Sequence, residues 1–433
     1  MNVDMSMTGI RARLAPIATL YLAGMLQGLT LVSFPASSAV LKQLHGFTDA
    51  QYGAIFLPQV AAAIVGALAG GSLANRLGLK PLLWLSLAIN ALSQGLLAGS
   101  LMLSPGAAYA AVLSGTASLG LAFGLSGAPL NGYPPLFFPS RRDTAIVALH
   151  TFLGLGLAIG PVIASPFVMA GHWIGFPLSL VALAGLLVVA TGFSRFPPLA
   201  PDAASGTGDW QSHDPMPLPQ SMTNHRAGHP VRVLSFWLFT AVAVLYAFAE
   251  GTFSNWAVLY LLTVKHLPET VAAGALSVFW AAMVAGRLLT SVLVLRIPPR
   301  RIWLGLPLLM ILAFLSLPYA DTPVVGIGLF ALAGLACSAF FPLSIGIVSE
   351  RFRAHGPWVA SMMIAALMAG VGVGSYTVGL LREAFAMETV YRLSIVYPLL
   401  ALGLAVLALR ERDVVTGAEP RSRPQRLPDP DEA

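Results

Sequence analysis

The feature that most constrains this chain is its scarcity of charge. Only 10% of its 433 residues are charged, while 57% are hydrophobic. A soluble domain has about 25% charged residues, so 24 Lys and Arg with 18 Asp and Glu cannot cover the two or three soluble domains that this length suggests. The high hydrophobicity excludes a disordered chain, and the single cysteine, Cys337, excludes a disulfide scaffold. A protein embedded largely in lipid remains.

Twelve apolar stretches are long enough to cross a membrane as helices, which takes about 20 residues each. These unbroken runs differ from the alternating pattern of a membrane β-barrel. We therefore predict an all-α integral membrane protein with twelve transmembrane helices. The predicted spans of the first half are 14–37, 51–74, 80–103, 108–138, 144–170 and 173–194. Those of the second half are 233–263, 271–295, 301–320, 323–349, 357–382 and 390–410.

The basic residues predict the orientation of the chain. When the N-terminus is placed in the cytoplasm, 19 of the 24 Lys and Arg fall on the cytoplasmic side, in agreement with the positive-inside rule. Lys42, Lys265, Arg382 and Arg392 fall outside, and Arg287 lies within a span. We therefore expect both termini in the cytoplasm and the protein in the cytoplasmic (inner) membrane. Because topology explains the net charge of +6, no nucleic-acid partner is expected.

A polar, proline-containing segment at 195–232 separates the spans into two sets of six. We interpret it as a mostly disordered cytoplasmic linker between an N-terminal bundle, 1–194, and a C-terminal bundle, 233–413. Residues 414–433 are predicted to be a disordered cytoplasmic tail. Two halves of equal span number indicate structural repeats of the kind found in transporters.

The loop after the second predicted span carries a recognisable motif. It reads Gly71-Ser72-Leu73-Ala74-Asn75-Arg76-Leu77-Gly78-Leu79-Lys80. It resembles the Gly-x-Leu-Ala-Asp-Arg-x-Gly-Arg-Lys signature of the major facilitator superfamily of secondary transporters, with Asn75 and Leu79 in place of the usual Asp and Arg. The resemblance implies two six-helix bundles around a central cavity, transport by alternating access, and a gating loop. The implied gating residues are Gly71, Asn75, Arg76, Gly78 and Lys80. Asn75 can cap a helix end, but it brings no negative charge to an electrostatic latch.

Further segments resemble a branch of this superfamily that includes fucose- and glucose-type proton symporters. They are 127–133, 149–161, 246–256 and 279–287. One motif indicates a different branch: Gly156-x-x-x-Gly160-Pro161 partly matches a motif of drug/proton antiporters. The same spacing of glycines also allows two helices to pack closely in lipid. Both interpretations stay open.

Two ionisable residues lie deep inside predicted spans, where charge is costly and usually functional. Glu250 is the only deep carboxylate and Arg287 the only deep basic residue. Glu250 falls near the middle of the membrane, and a buried carboxylate can be tuned to exchange protons near neutral pH. We therefore predict that Glu250 couples transport to protons. The alternatives are a structural ion pair with Arg287, or a role for Arg287 as a gate or as the partner of an anionic substrate.

His150 is a second candidate for proton coupling because histidine titrates near neutral pH, although it can equally serve as a hydrogen-bonded link between helices. The remaining candidates would contact the substrate. Uncharged amides suit ligands rich in hydroxyl groups, and an aromatic ring can stack on a sugar. The predicted substrate-binding residues are Gln27, Asn131, Tyr246, Asn255, Trp256 and Arg287.

The sequence thus predicts a secondary transporter and not an enzyme. It contains no Gly-x-x-x-x-Gly-Lys-Ser/Thr loop for ATP, and we expect neither a cofactor nor a metal site. The favoured function is proton-coupled transport of a small, sugar-like solute by a monomer. Proton-driven export of drug-like or apolar compounds is the alternative, and a non-transporting sensor or scaffold is a minor one.

Overall fold

The computed structural model of the protein describes residues 7–197, 230–352 and 355–411. Within these residues, twelve helical segments are long and apolar enough to cross a membrane, and no β-strand is present. The predicted all-α class and the number of spans are confirmed. The predicted disorder of the linker and the tail concerns mainly residues 198–229 and 412–433, which lie outside the described part.

The spans are numbered here in chain order. Spans 1 to 6 are Leu14–Ala36, Asp49–Ala74, Leu79–Met102, Pro105–Phe137, Thr144–Met169 and Gly175–Phe193. Spans 7 to 12 are Leu234–Thr263, Glu269–Leu293, Pro299–Tyr319, Pro323–Arg351, Trp358–Ala384 and Met387–Arg410. These bounds agree with the predicted ones to within about a turn of helix.

Three spans consist of two helices each, which the apolar runs did not reveal. Span 2 is Asp49–Ala54 followed by Phe56–Leu77, span 10 is Pro323–Cys337 followed by Phe340–Arg351, and span 12 is Met387–Leu393 followed by Val396–Arg410. A short helix, Ser38–His45, connects spans 1 and 2. The other spans lie in the helices Met7–Ala36, Leu79–Gly99, Pro105–Phe137, Arg142–Met169, Gly175–Phe193, Leu234–Thr263, Glu269–Leu293, Pro299–Ser316 and Gly356–Ala384.

The spans pack into two bundles of six with matching neighbours. In the first bundle span 1 packs on span 5 and span 2 on span 4, and in the second bundle span 7 packs on span 11 and span 8 on span 10. The bundles meet where span 5 contacts span 8 and where span 2 contacts span 11. The two halves therefore repeat one arrangement, and any central site lies between them.

The molecule has two ends, which differ in how closely the bundles approach. The linker end is where span 6 ends and span 7 begins, and the far end carries the helix Ser38–His45. At the far end a Cβ atom on Gly53 of span 2 would lie 2.6 Å from the carbonyl oxygen of Ser375 in span 11. The Tyr52 hydroxyl donates a 2.8 Å hydrogen bond to the carbonyl oxygen of Asn255 in span 7. The bundles are thus in backbone contact at the far end.

Charged side chains join the bundles at the same end. Asp49, which begins span 2, pairs with Lys42 of its own bundle and with Arg382 of span 11, whose Nε lies 3.5 Å from Asp49 Oδ2. Lys265 pairs with Asp321 at 2.9 Å and Glu388 at 3.6 Å, all within the second bundle. The cluster around Asp49 therefore links one bundle to the other by charge.

Candidate functional site

A cavity of about 430 Å³ lies between the bundles in the linker-end half of the molecule. Its volume falls in the range of small-molecule sites, about 300–1,000 Å³. Spans 1, 2, 4 and 5 form one wall and span 11 forms the other. Most of the lining is apolar, and its polar side chains are Gln27, Ser126, Asn131, His150 and Ser361. Three of these were predicted from the sequence to bind solute or protons, and the fold brings them together.

Gln27 contributes an amide to this cavity from the middle of span 1. Its Oε1 accepts hydrogen bonds from Asn90 Nδ2 at 3.2 Å and from Ser126 Oγ at 3.3 Å. The side chain is 1% exposed, and its Nε2 has no hydrogen-bond partner among the described residues. A buried amide donor without a partner costs free energy, about 1–3 kcal/mol, which a ligand with an acceptor oxygen would recover.

Asn131 and His150 form a second polar pair at the cavity. Asn131 Nδ2 donates to the carbonyl oxygen of Gly127 at 2.8 Å, which leaves Oδ1 to accept from His150 Nε2 at 3.2 Å. The pair therefore bridges spans 4 and 5. His150 is exposed to the cavity and also interacts electrostatically with Arg287 of span 8. The predicted inter-helix bond of His150 is observed, and its position also suits contact with a solute.

Glu250 lies halfway along span 7 and is partly buried. Its carboxyl group interacts with the Tyr246 hydroxyl and, electrostatically, with Arg287. Arg287 forms no ion pair with Glu250 within the described residues: its Nε donates to the carbonyl oxygen of Ser338 at 3.0 Å, and Nη2 contacts Met283 Sδ at 3.3 Å. The direct ion pair that the sequence left open is thus replaced by a longer-range interaction.

Four of the six predicted substrate-binding residues lie outside the cavity lining, and so does Glu250. Tyr246 and Arg287 lie beside Glu250, and Asn255 and Trp256 lie nearer the far end. Asn255 Nδ2 donates to Ser375 Oγ at 2.7 Å, within the contact between spans 7 and 11. Trp256 is fully buried and packs edge-on against Tyr52, with ring centroids 5.1 Å apart. Both belong to the region that closes the far end. Sequence position alone could not distinguish this closure from the cavity, because both use polar residues near mid-span.

The sequence reasoning overlooked the apolar wall supplied by span 11. Met362, Ala365 and Met368 line the cavity opposite Gln27. Their spacing of three residues was a usable signal, since it places all three on one helix face. It was masked because most residues of a membrane helix are apolar, whether they face lipid or a cavity.

Comparison with known proteins identifies the family. Residues 19–356 match the profile described as Major Facilitator Superfamily. The chain belongs to the major facilitator superfamily. It is therefore a multi-pass membrane transporter and not an enzyme, as the signature loop indicated.

Individual relatives of this superfamily are more distant. The glucose/mannose transporter GlcP of Bacillus subtilis is 25% identical over 146 residues, which cover 34% of this chain and 35% of that protein. The match thus spans about a third of the length of this curated relative.

Solved structures show the same fold. A mutant of the nucleoside transporter NupG superposes with a TM-score of 0.74 at 15% identity, covering 91% of this chain and 100% of that one. A D-xylose-proton symporter gives a TM-score of 0.70 at 14% identity, covering 92% and 97%. At these identities the likeness shows the superfamily fold alone.

The superfamily's signature loop lies between spans 2 and 3 at the linker end. Gly78 adopts φ +87, a conformation that side-chain-bearing residues rarely reach, so glycine allows the chain to turn at once from one helix into the next. Lys80 Nζ donates to the carbonyl oxygen of Gly192 at the end of span 6, at 3.0 Å. Gly71 and Arg76 are exposed, and the side chain of Asn75 is outside the described part. The lysine thus ties span 3 to the last turn of span 6, where a cation is favourable.

Proposed function

We propose that this transporter moves a small, hydroxyl-bearing solute, sugar-like in size and polarity, together with protons. The observation that carries the proposal is the buried amide of Gln27, a residue of the cavity lining whose Nε2 is unpartnered among the described residues. Asn131 and His150 supply further uncharged or titratable polar atoms on the same wall. Such groups match hydroxyl groups, which both donate and accept. Relatives named as glucose/mannose and D-xylose transporters support this solute class.

Glu250 is the proposed proton-coupling residue, and His150 a proposed second proton carrier. The two lie on different bundles, and Arg287 interacts electrostatically with both of them. Gain or loss of a proton at either group therefore changes the charge balance between the bundles. That is the requirement for a proton to favour one arrangement of the bundles over the other.

Alternating access supplies the route. The bundles are in contact at the far end, and the cavity lies in the linker-end half. With both termini in the cytoplasm of an inner membrane, as the basic residues indicate, this arrangement faces inward. Rocking of the bundles would close the linker end and open the far end.

Export of a drug-like compound remains the second candidate because the cavity is mostly apolar. Ala63, Ala67 and Leu68 of span 2 and Met362 and Met368 of span 11 face it. Such walls suit an apolar molecule through burial alone. The partial antiporter motif in span 5 does not add support, because its glycines pack against span 1: a Cβ on Gly156 would lie 2.1 Å from the carbonyl oxygen of Met25.

A binding experiment tests the solute class. The purified protein is heated with glucose, mannose, xylose, uridine or the drug-like cationic dye ethidium. The thermal midpoint is recorded, since a ligand that binds the folded protein stabilises it. We expect a hydroxyl-bearing solute to raise the midpoint. The Gln27→Leu variant should bind that solute about tenfold more weakly, because one buried hydrogen bond is lost.

Gln94→Leu is the matched control. Gln94 is equally buried, and its Nε2 donates to Ser33 Oγ at 3.0 Å, but it does not line the cavity. It should bind the solute like the parent protein. Stabilisation by ethidium alone would contradict the proposal and favour the export alternative.

A further inference from the structure

Span 10 is interrupted beside the charged residues of the site. Its first helix ends at Cys337 and its second begins at Phe340. Pro342 explains the interruption, because proline has no N–H to donate to the carbonyl oxygen four residues earlier, which belongs to Ser338. The Ser338 carbonyl group therefore lacks its helical donor. Among the described residues, the Cys337 carbonyl group accepts no backbone hydrogen bond across the break, so both need donors from elsewhere.

Side chains of two other spans supply those donors. The Tyr246 hydroxyl of span 7 donates to the carbonyl oxygen of Cys337 at 2.8 Å. Arg287 Nε of span 8 donates to the carbonyl oxygen of Ser338 at 3.0 Å. Gly286 permits this approach, since a Cβ there would lie 2.5 Å from Ser338 Cβ. The break is thus held by one hydrogen bond from each of two neighbouring helices.

The same tyrosine also contacts the proposed proton-coupling carboxyl group. The Tyr246 hydroxyl also interacts with Glu250, one helical turn further along span 7. A phenol has a single O–H proton, and here that proton is donated to the carbonyl oxygen of Cys337. While it is donated there, a hydrogen bond between Tyr246 and Glu250 has to be donated by a protonated carboxyl group. The other titratable or charged groups that interact with Glu250, among the described residues, are Arg287 and the Cys337 thiol.

We propose that the break in span 10 responds to the protonation of Glu250 through Tyr246, which makes Tyr246 a positioning residue for coupling. With a proton on Glu250, the carboxyl O–H donates to the Tyr246 oxygen, and the phenol donates to Cys337. When that proton leaves, the phenol turns to donate to the carboxylate, and the Cys337 carbonyl loses its donor. The phenol keeps its own proton throughout. Only Arg287 then holds the break, and the two helices of span 10 are freer to change their angle. The inference rests on the proposed proton exchange at Glu250.

Hydrogen–deuterium exchange of the peptide covering residues 335–345 measures the opening of the break. Exchange is recorded from about pH 5 to about pH 8, on both sides of the neutral pH near which a buried carboxyl group can exchange protons. At each pH the wild type is compared with Glu250→Gln, whose amide stays neutral and can donate to Tyr246, so that the intrinsic pH dependence of exchange cancels. At the upper end, we expect exchange about fivefold faster in the wild type, the effect of one hydrogen bond of about 1 kcal/mol. At the lower end the two proteins should agree.

Tyr246→Phe tests the connection itself. At each pH, the exchange rate of the peptide should be the same in Tyr246→Phe and in the double variant that also carries Glu250→Gln. Tyr260→Phe is the matched control, since it removes a hydroxyl from the same span that donates to the carbonyl oxygen of Leu317 at 3.0 Å, away from Glu250. It should keep the wild-type response to pH.

Two results would overturn the inference. If Tyr246→Phe keeps the wild-type pH response, or if wild type and Glu250→Gln exchange alike at every pH, the break does not respond to Glu250. Solute uptake by the same variants in proteoliposomes separates this failure from failure of the proposed function. If Glu250→Gln loses proton-driven accumulation, Glu250 still couples transport to protons, and only its effect on the break in span 10 is refuted. Unchanged accumulation would refute both.

Discussion

At the scale of single residues, the site holds a carboxyl group and a guanidinium group close together without joining them. Arg287 donates to the Ser338 carbonyl oxygen, while Glu250 interacts with Tyr246. A direct buried ion pair would have to be broken each time Glu250 took up a proton, at a cost of several kcal/mol. The observed arrangement avoids that cost, so the proton can exchange while Arg287 stays in place.

Neutralising this carboxyl group should uncouple transport from protons. Because the Gln side chain of Glu250→Gln keeps the shape and cannot take up a proton, we expect solute exchange down its gradient to persist and pH-driven accumulation to fall to the equilibrium level. Uptake into proteoliposomes with and without a pH gradient measures both. Asp321→Asn, which removes an exposed carboxylate from a far-end ion pair, is the control and should accumulate solute normally. Accumulation by the Gln variant would contradict the coupling role.

Functional residues could be predicted from the sequence only where the residue type itself is unusual in a membrane span. Glu250 and Arg287 stood out because charge is rare inside a membrane, and no structure was needed to find them. Gln27, Asn131 and His150 were harder, because amides and histidines also join helices. Their convergence on one cavity depends on the packing of spans 1, 4 and 5, which no local pattern specifies.

At the scale of elements, the twelve spans were predictable and their interruptions were not. Length and hydrophobicity decide whether a segment crosses a membrane, and both are local properties. The break in span 10 has a local cause in Pro342, but prolines in continuous helices, such as Pro129 in span 4, show that proline alone does not decide it. The donors from Tyr246 and Arg287 stabilise the interrupted form.

Close packing of spans 1 and 5 has a testable cost. A Cβ at Gly156 would lie 2.1 Å from the carbonyl oxygen of Met25, so Gly156→Ala must push two backbones apart. Overpacking of this kind costs about 1–3 kcal/mol, and we expect a lower thermal midpoint in detergent. Gly185→Ala in span 6 is the matched control, because no heavy atom lies within 4 Å of that position. Equal midpoints for the two variants would show that the contact is not tight.

At the scale of the whole molecule, the two ends of the interface between the bundles are built differently. The far end combines backbone contact at Gly53 with the charges of Lys42, Asp49 and Arg382. The linker end contains the cavity. Family membership predicts that both ends must open in turn, but which end is closed depends on contacts between distant parts of the chain. No local pattern indicated that Asp49 and Arg382 lie close together, since they are far apart along the chain.

The charges at the far end should bias the molecule toward its present arrangement. Asp49→Asn leaves Lys42 and Arg382 as neighbouring like charges across the bundle interface, which favours separation. Partly exposed ion pairs contribute about 0.5–1 kcal/mol, so we expect the population open at the far end to rise about threefold. Spin labels at Leu44→Cys and Phe385→Cys, in a background lacking Cys337, report the distance across this end, since both positions are exposed.

A matched change within one bundle separates gating from general loss of charge. Asp321→Asn also removes an ion pair at the far end, but its partner Lys265 belongs to the same bundle. This variant should leave the distance distribution unchanged. Because salt screens exposed charges, the effect of Asp49→Asn should shrink as ionic strength rises. If both variants shift the distribution equally, the charges at Asp49 do not hold the bundles together, and the backbone contacts around Gly53 must account for the closure.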